Sequence, residues 1–134
     1  MIKKIEHIGI AVKNIEQSNA LFAKLFGKAH YKVESVESEG VNTSFFMLGE
    51  TKVELLEASS ETSAIARFIE KKGEGIHHIA YEVDNIEEEM KRLKTEGFEI
   101  LNSSPKEGAD NKRICFLHPK STNGVLVELC QEKA

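Results

Sequence analysis

Tryptophan is absent from this 134-residue chain, and cysteine and proline each occur only twice. Two cysteines cannot build the disulfide framework on which small secreted domains depend, so the fold must rest on a hydrophobic core. Cys115 and Cys130 sit in apolar, strand-like runs and are expected to be buried, reduced thiols. No apolar run approaches the roughly 20 residues that span a bilayer, which argues against a membrane helix. Met1-Ile2-Lys3-Lys4 leads straight into a strand pattern rather than into a signal peptide, so the expected location is cytoplasmic. Positive charge is not in excess either: 18 Lys and Arg against 22 Asp and Glu give a net charge of −4, which argues against a nucleic-acid partner. What is left is an ordinary globular composition, 40% hydrophobic and 30% charged, at a length suited to one domain or two fused small modules.

What the chain does have is a repeat. His7-Ile8-Gly9-Ile10-Ala11-Val12-Lys13-Asn14-Ile15-Glu16 returns as His78-Ile79-Ala80-Tyr81-Glu82-Val83-Asp84-Asn85-Ile86-Glu87, with six of the ten positions identical. A second pair, Lys52-Val53-Glu54-Leu55 and Leu126-Val127-Glu128-Leu129, closes each half. Each half therefore opens on a histidine strand and ends on a carboxylate strand.

Periodicities of 2 and 3.6 alternate in the same order in both halves. A strand over 5–12 leads to a helix from Ile15 to Phe26, with Asn14 as its N-cap, Gly27 as its stop and an apolar stripe of Ile15, Phe22, Leu25 and Phe26. Strands follow at about 30–36, 43–48 and 51–58, the last two joined by a turn at Gly49-Glu50. A linker helix over Ser63–Lys72 ends at Gly73. The order then restarts with a strand at 76–83, a helix at 86–95 ended by Gly97, and strands near 98–102, 112–118 and 124–131. Residues 103–111 form the longest loop. The expected fold class is α+β, with two tandem βαβββ modules (about 4–60 and 75–131) building one domain with a cupped mixed sheet and outer helices.

Strand alternation sorts the four repeated polar residues. If Ile8, Ile10 and Val12 face the packed helix, His7 faces the other way with Gly9 and Ala11. By the same logic Glu54 lies opposite Val53 and Leu55, His78 opposite Ile79, Tyr81 and Val83, and Glu128 opposite Val125, Val127 and Leu129. His77 points away from His78. Read singly, each histidine is a satisfied polar residue of a strand and each glutamate a solvent-facing one. Read together, His7, Glu54, His78 and Glu128 form a candidate metal set at equivalent places in two halves. Two imidazoles and two carboxylates suit Co, Ni, Mn, Fe or Zn with open positions for substrate. Such an ion is a Lewis acid for a carbonyl or enolate oxygen, and Glu54 and Glu128 are candidate bases for an adjacent carbon acid.

With this ligand pattern, the paired modules resemble the vicinal oxygen chelate superfamily over essentially the whole chain. Within it the chain is most similar to the methylmalonyl-CoA epimerase family. The motifs that carry the likeness are Lys52-Val53-Glu54-Leu55-Leu56-Glu57, Gly75–Ile86, and Phe116-Leu117-His118-Pro119-Lys120-Ser121 followed by Gly124-Val125-Leu126-Val127-Glu128-Leu129. The resemblance implies a homodimeric cytoplasmic isomerase acting on an acyl-CoA through a metal-stabilised enolate. His7, Glu54, His78 and Glu128 would hold a divalent Co, Ni, Mn or Zn ion, with Glu128 and Glu54 catalytic. Some epimerases carry a catalytic glutamate at the position of Thr43, where threonine cannot act as a base near neutrality. Thr43 is thereby a candidate for substrate binding. Lys106, Lys112, Arg113 and Lys120 offer cations for coenzyme A phosphates, or form a solvated loop surface. The alternative activity is that of a glyoxalase I acting on a glutathione adduct. A non-catalytic binding protein and a ring-cleaving dioxygenase share the architecture but fit the ligand set less well.

Overall fold

The computed structural model describes residues 1–133. Two compact units emerge: Ile8–His77 is one, and Met1–His7 together with the chain from His78 onward is the other. The repeat divides the chain at about 60 and 75, whereas packing divides it at the two histidines, because the first strand begins in the unit that holds the second half.

In the Ile8–His77 unit, the strand order is β2 (Lys32–Val36), β3 (Val41–Leu48), β4 (Thr51–Ala58) and then β1 (Ile2–Ala11), whose later residues belong here. β2, β3 and β4 pair antiparallel. Helix α1 (Ile15–Phe26) begins where the Asn14 side chain accepts a hydrogen bond from the Gln17 N–H, and it ends at Gly27 in the left-handed conformation. Its buried side packs Phe22, Ala23 and Phe26 against Ile10, Val12, Phe46, Val53 and Leu55. Leu25 is not part of that stripe. It is 70% exposed, as is its neighbour one turn back, Leu21, at 63%, so the two form a ridge beside the packed face rather than on it. Helix α2 (Ala64–Lys72), capped by Ser63, sets Ile65 against Ala11 and Leu56.

In the other unit the order is β5 (Gly75–Val83), β8 (Val127–Glu132), β7 (Lys112–Leu117) and β6 (Lys106–Glu107). β5 pairs parallel with β8, and the remaining pairs are antiparallel. Helix α3 (Ile86–Thr95) repeats the cap of α1, with the Asn85 side chain accepting from the Glu88 N–H. It buries Ile86, Met90 and Leu93 on Val83, Cys115, Leu117, Val127 and Leu129.

Two expected strands of this unit differ. Residues 98–102 make a single bridge, Ile100 with Leu117, because the Phe116 N–H donates to the Asn102 side chain instead of continuing a ladder. The short β6 lies inside the stretch expected to be loop, just past Pro105, which has no N–H to donate. The last strand begins at Val127 rather than 124. Asn123 and Gly124 are left-handed (φ 55° and 87°), and the Gly124 and Val125 N–H groups close the preceding turn onto Pro119 and Thr122. Val125 is therefore 41% exposed and not a core residue. No helix among the described residues is long and apolar enough to cross a membrane.

Candidate metal centre

The middles of β1 and β5 carry His7 and His78, and β8 carries Glu128. All three lie in one unit and are buried, at 5%, 6% and 5% exposure. His7 Nε2 is 3.0 Å from His78 Nε2. Glu128 Oε1 lies 3.3 Å from His78 Nε2, and its Oε2 lies 3.7 Å from His7 Nε2. The two rings meet edge to face with centroids 5.1 Å apart, and His78 is in turn edge-on to Phe116.

The 3.0 and 3.3 Å separations are those expected of donors sharing one ion, and the 3.7 Å one is slightly longer. Ligand atoms about 2.1 Å from a divalent metal, at adjacent corners of its coordination shell, are about 3 to 3.5 Å apart. One Nε2 from each imidazole and one carboxylate also make a mixed nitrogen and oxygen set of suitable hardness. The residues fit a divalent cation.

Register explains why the sequence puts these side chains here. Glu128 stands opposite Phe116 on β7 and Ala80 on β5, so the small Ala80 leaves space beside the carboxylate. In the other unit Glu54 stands opposite Phe45 on β3. The two carboxylates thus hold equivalent registers in their own units, and Glu54 is likewise buried, at 4% exposure. Thr43, on β3 opposite Leu56, is almost fully buried.

Neighbouring titratable groups follow the alternation. His77 faces away from His78, with its ring edge-on to Phe68. Burial first, and the Lys72 charge second, lower its pKa to about 4. Burial, reinforced by the negative charge of Glu128, pushes the Cys115 thiol up to about 12. Cys115 and Cys130 are both buried and reduced, as expected.

Of the four basic residues expected to form one anion patch, Lys112, Arg113 and Lys120 each meet a carboxylate. Arg113 donates to Glu87, which is held below the usual carboxylate range by that hydrogen bond. Lys120 Nζ lies 2.8 Å from Glu99. Lys112 is buried between Glu6 and Glu132, at 4.0 and 3.9 Å. Lys106 Nζ sits over the Phe116 ring. His118 caps the short 3-10 turn Pro119–Ser121, its Nδ1 accepting from the Lys120 N–H.

Sequence reasoning missed Glu6. It is 4% exposed, and its Oε1 is 2.6 Å from His7 Nδ1. A carboxylate beside a candidate ligand histidine within one strand was the available signal.

Residues 6–116 match the family model described as the glyoxalase/bleomycin resistance protein/dioxygenase superfamily. The ethylmalonyl-CoA/methylmalonyl-CoA epimerase of Cereibacter sphaeroides is 43% identical over 133 residues, covering 98% of this chain and 99% of that protein. The mitochondrial methylmalonyl-CoA epimerase of Dictyostelium discoideum is 43% identical over 129 residues, covering 96% of this chain and 78% of the relative. Among solved structures, a Streptomyces coelicolor methylmalonyl-CoA epimerase variant in complex with 2-nitronate-propionyl-CoA superposes with a TM-score of 0.95 at 31% identity, over 100% of both chains.

Proposed function

Because the chain belongs to the glyoxalase/bleomycin resistance protein/dioxygenase superfamily and has its glyoxalase-like α+β fold, we propose that it is an isomerase that interconverts the two epimers of methylmalonyl-CoA. The observation that carries this reading is the near-full-length likeness to epimerases at about 40% identity. The convergence of His7, His78 and Glu128 supplies the chemistry such a reaction needs. The proposed assembly is a homodimer, and the likeness to the bacterial epimerase of Cereibacter sphaeroides supports a cytoplasmic location.

His7, His78 and Glu128 would hold a divalent cation, for which Co, Ni, Mn or Zn is suitable. Bound there, the ion would supply Lewis-acid polarisation of a carbonyl oxygen, making the adjacent carbon acid easier to ionise. The protein's own side chains handle the proton. Epimerisation removes it from one face of the alpha carbon and returns it on the other, so two acceptors are needed. Glu128 is one. Glu54 is the other candidate, on the strength of its equivalent register in the repeat; the hydroxyl of Thr43 can donate or accept a hydrogen bond but is no base near neutrality.

Burial of Glu128 beside two imidazoles excludes bulk water from its carboxylate, and Phe116 packs edge-on against His78. Thr43, Lys112, Arg113 and Lys120 remain the proposed substrate contacts. Each of the three cations would have to exchange a partner carboxylate (Glu132, Glu87 and Glu99 respectively) for a phosphate or carboxylate of the thioester.

The test is a comparison of substrates. Metal-loaded protein should epimerise methylmalonyl-CoA and leave the methylglyoxal–glutathione hemithioacetal untouched. Turnover of the hemithioacetal with inert methylmalonyl-CoA would overturn the assignment in favour of a glyoxalase I activity.

A further inference from the structure

We infer that Glu6 is a positioning residue for the metal centre: it fixes the tautomer and ring orientation of His7 so that Nε2 presents its lone pair. The inference rests on the metal reading above. Glu6 and His7 are consecutive on β1, both buried, with Oε1 of Glu6 2.6 Å from Nδ1 of His7. A carboxylate only accepts hydrogen bonds, so the shared proton belongs to Nδ1 and the opposite nitrogen is left bare. That opposite nitrogen is the one facing His78 Nε2 at 3.0 Å and Glu128 Oε2 at 3.7 Å.

A buried carboxylate needs compensation. Lys112 Nζ, itself buried, lies 4.0 Å from the second oxygen of Glu6. The row Lys112, Glu6, His7 therefore runs from the strand β7 to the centre, with the Lys112 charge facing Glu6 and Glu6 hydrogen-bonded to His7. Carboxylate partners of this kind raise the basicity of a ligand imidazole, and their loss commonly weakens metal affinity 10- to 100-fold.

The discriminating experiment uses the full chain stripped of metal by chelation, then titrated with Co²⁺ by calorimetry, as wild type and as Glu6→Gln. In parallel, long-range ¹H–¹⁵N spectra of the metal-free wild type read the imidazole tautomers. Glutamine keeps the size of the side chain but loses the negative charge and brings an NH2 donor that can compete for Nδ1, so a merely structural Glu6 would leave Co²⁺ affinity unchanged. The expected results are roughly 10- to 100-fold weaker Co²⁺ binding by Glu6→Gln, and a His7 ring protonated on Nδ1 in the wild type. Equal affinities, or a His7 ring protonated on Nε2, would overturn the positioning role while leaving the metal reading intact. Wild-type protein that takes up no Co²⁺ would overturn the metal reading itself. If Glu6→Gln fails to fold, the wild-type tautomer decides the matter.

Discussion

His7 and His78, identical positions of a repeat 71 residues apart, meet Nε2 to Nε2 at 3.0 Å inside a buried site. Two bare lone pairs at that distance repel, so either one nitrogen carries a proton toward the other or both serve a cation between them. The Glu128 carboxylate lies within 4 Å of both nitrogens, so it faces the donated proton or the cation alike.

Removing the metal should cost stability as well as activity. An ion that binds only the folded chain stabilises it by about 2.7 kcal/mol at 100 times its dissociation constant. Thermal unfolding with and without Co²⁺ should show that difference in wild type, and His78→Ala should erase it. Identical melting of wild type with and without Co²⁺ would contradict the ligand set.

His77 makes a pH prediction of definite sign. Its pKa falls from 6.5 to about 4 on folding, so below 6.5 the unfolded chain binds a proton that the folded chain refuses. The stability it contributes is complete above pH 6.5 and is lost as the pH falls toward 4. Between pH 7 and 4.5 the wild type should lose on the order of 2 kcal/mol more than His77→Gln, measured by urea unfolding. Parallel losses would contradict the burial of a neutral ring.

The two helix caps should behave as a repeated pair. Asn14→Ala and Asn85→Ala each remove the side-chain acceptor of a first-turn N–H, and each should cost about 1 kcal/mol. Denaturant titrations that show no loss for either variant would overturn the capping assignment.

Packing predicts opposite outcomes for two leucines that the sequence pattern treats alike. Leu129 is fully buried under α3, and Leu129→Ala should cost roughly 2 to 5 kcal/mol through the cavity it leaves. Leu25 is exposed, and Leu25→Ala should stay within about 0.5 kcal/mol.

The difference between those leucines marks where the sequence stops being legible. α1 and α3 follow their expected bounds, because Asn14, Gly27 and Asn85 act locally and leave little for tertiary contacts to change. The stretch after α3 depends on where one donor goes: Phe116 N–H chooses the Asn102 side chain, and no periodicity records that. Alternation brought His7, His78 and Glu128 to one face because a two-residue period and a repeat specify it twice over. Glu6 escaped because alternation assigns it to the opposite face of its strand, whereas its side chain reaches round to the neighbouring ring.

The central claim, a metal-dependent loss of the alpha proton, is tested most directly by incubating methylmalonyl-CoA with the protein in heavy water and following deuterium at the alpha carbon. Protein loaded with Co²⁺ should wash the proton into solvent, and the chelated protein and Glu128→Gln should not. Absence of exchange with every first-row divalent ion, or full exchange in Glu128→Gln, would contradict the account.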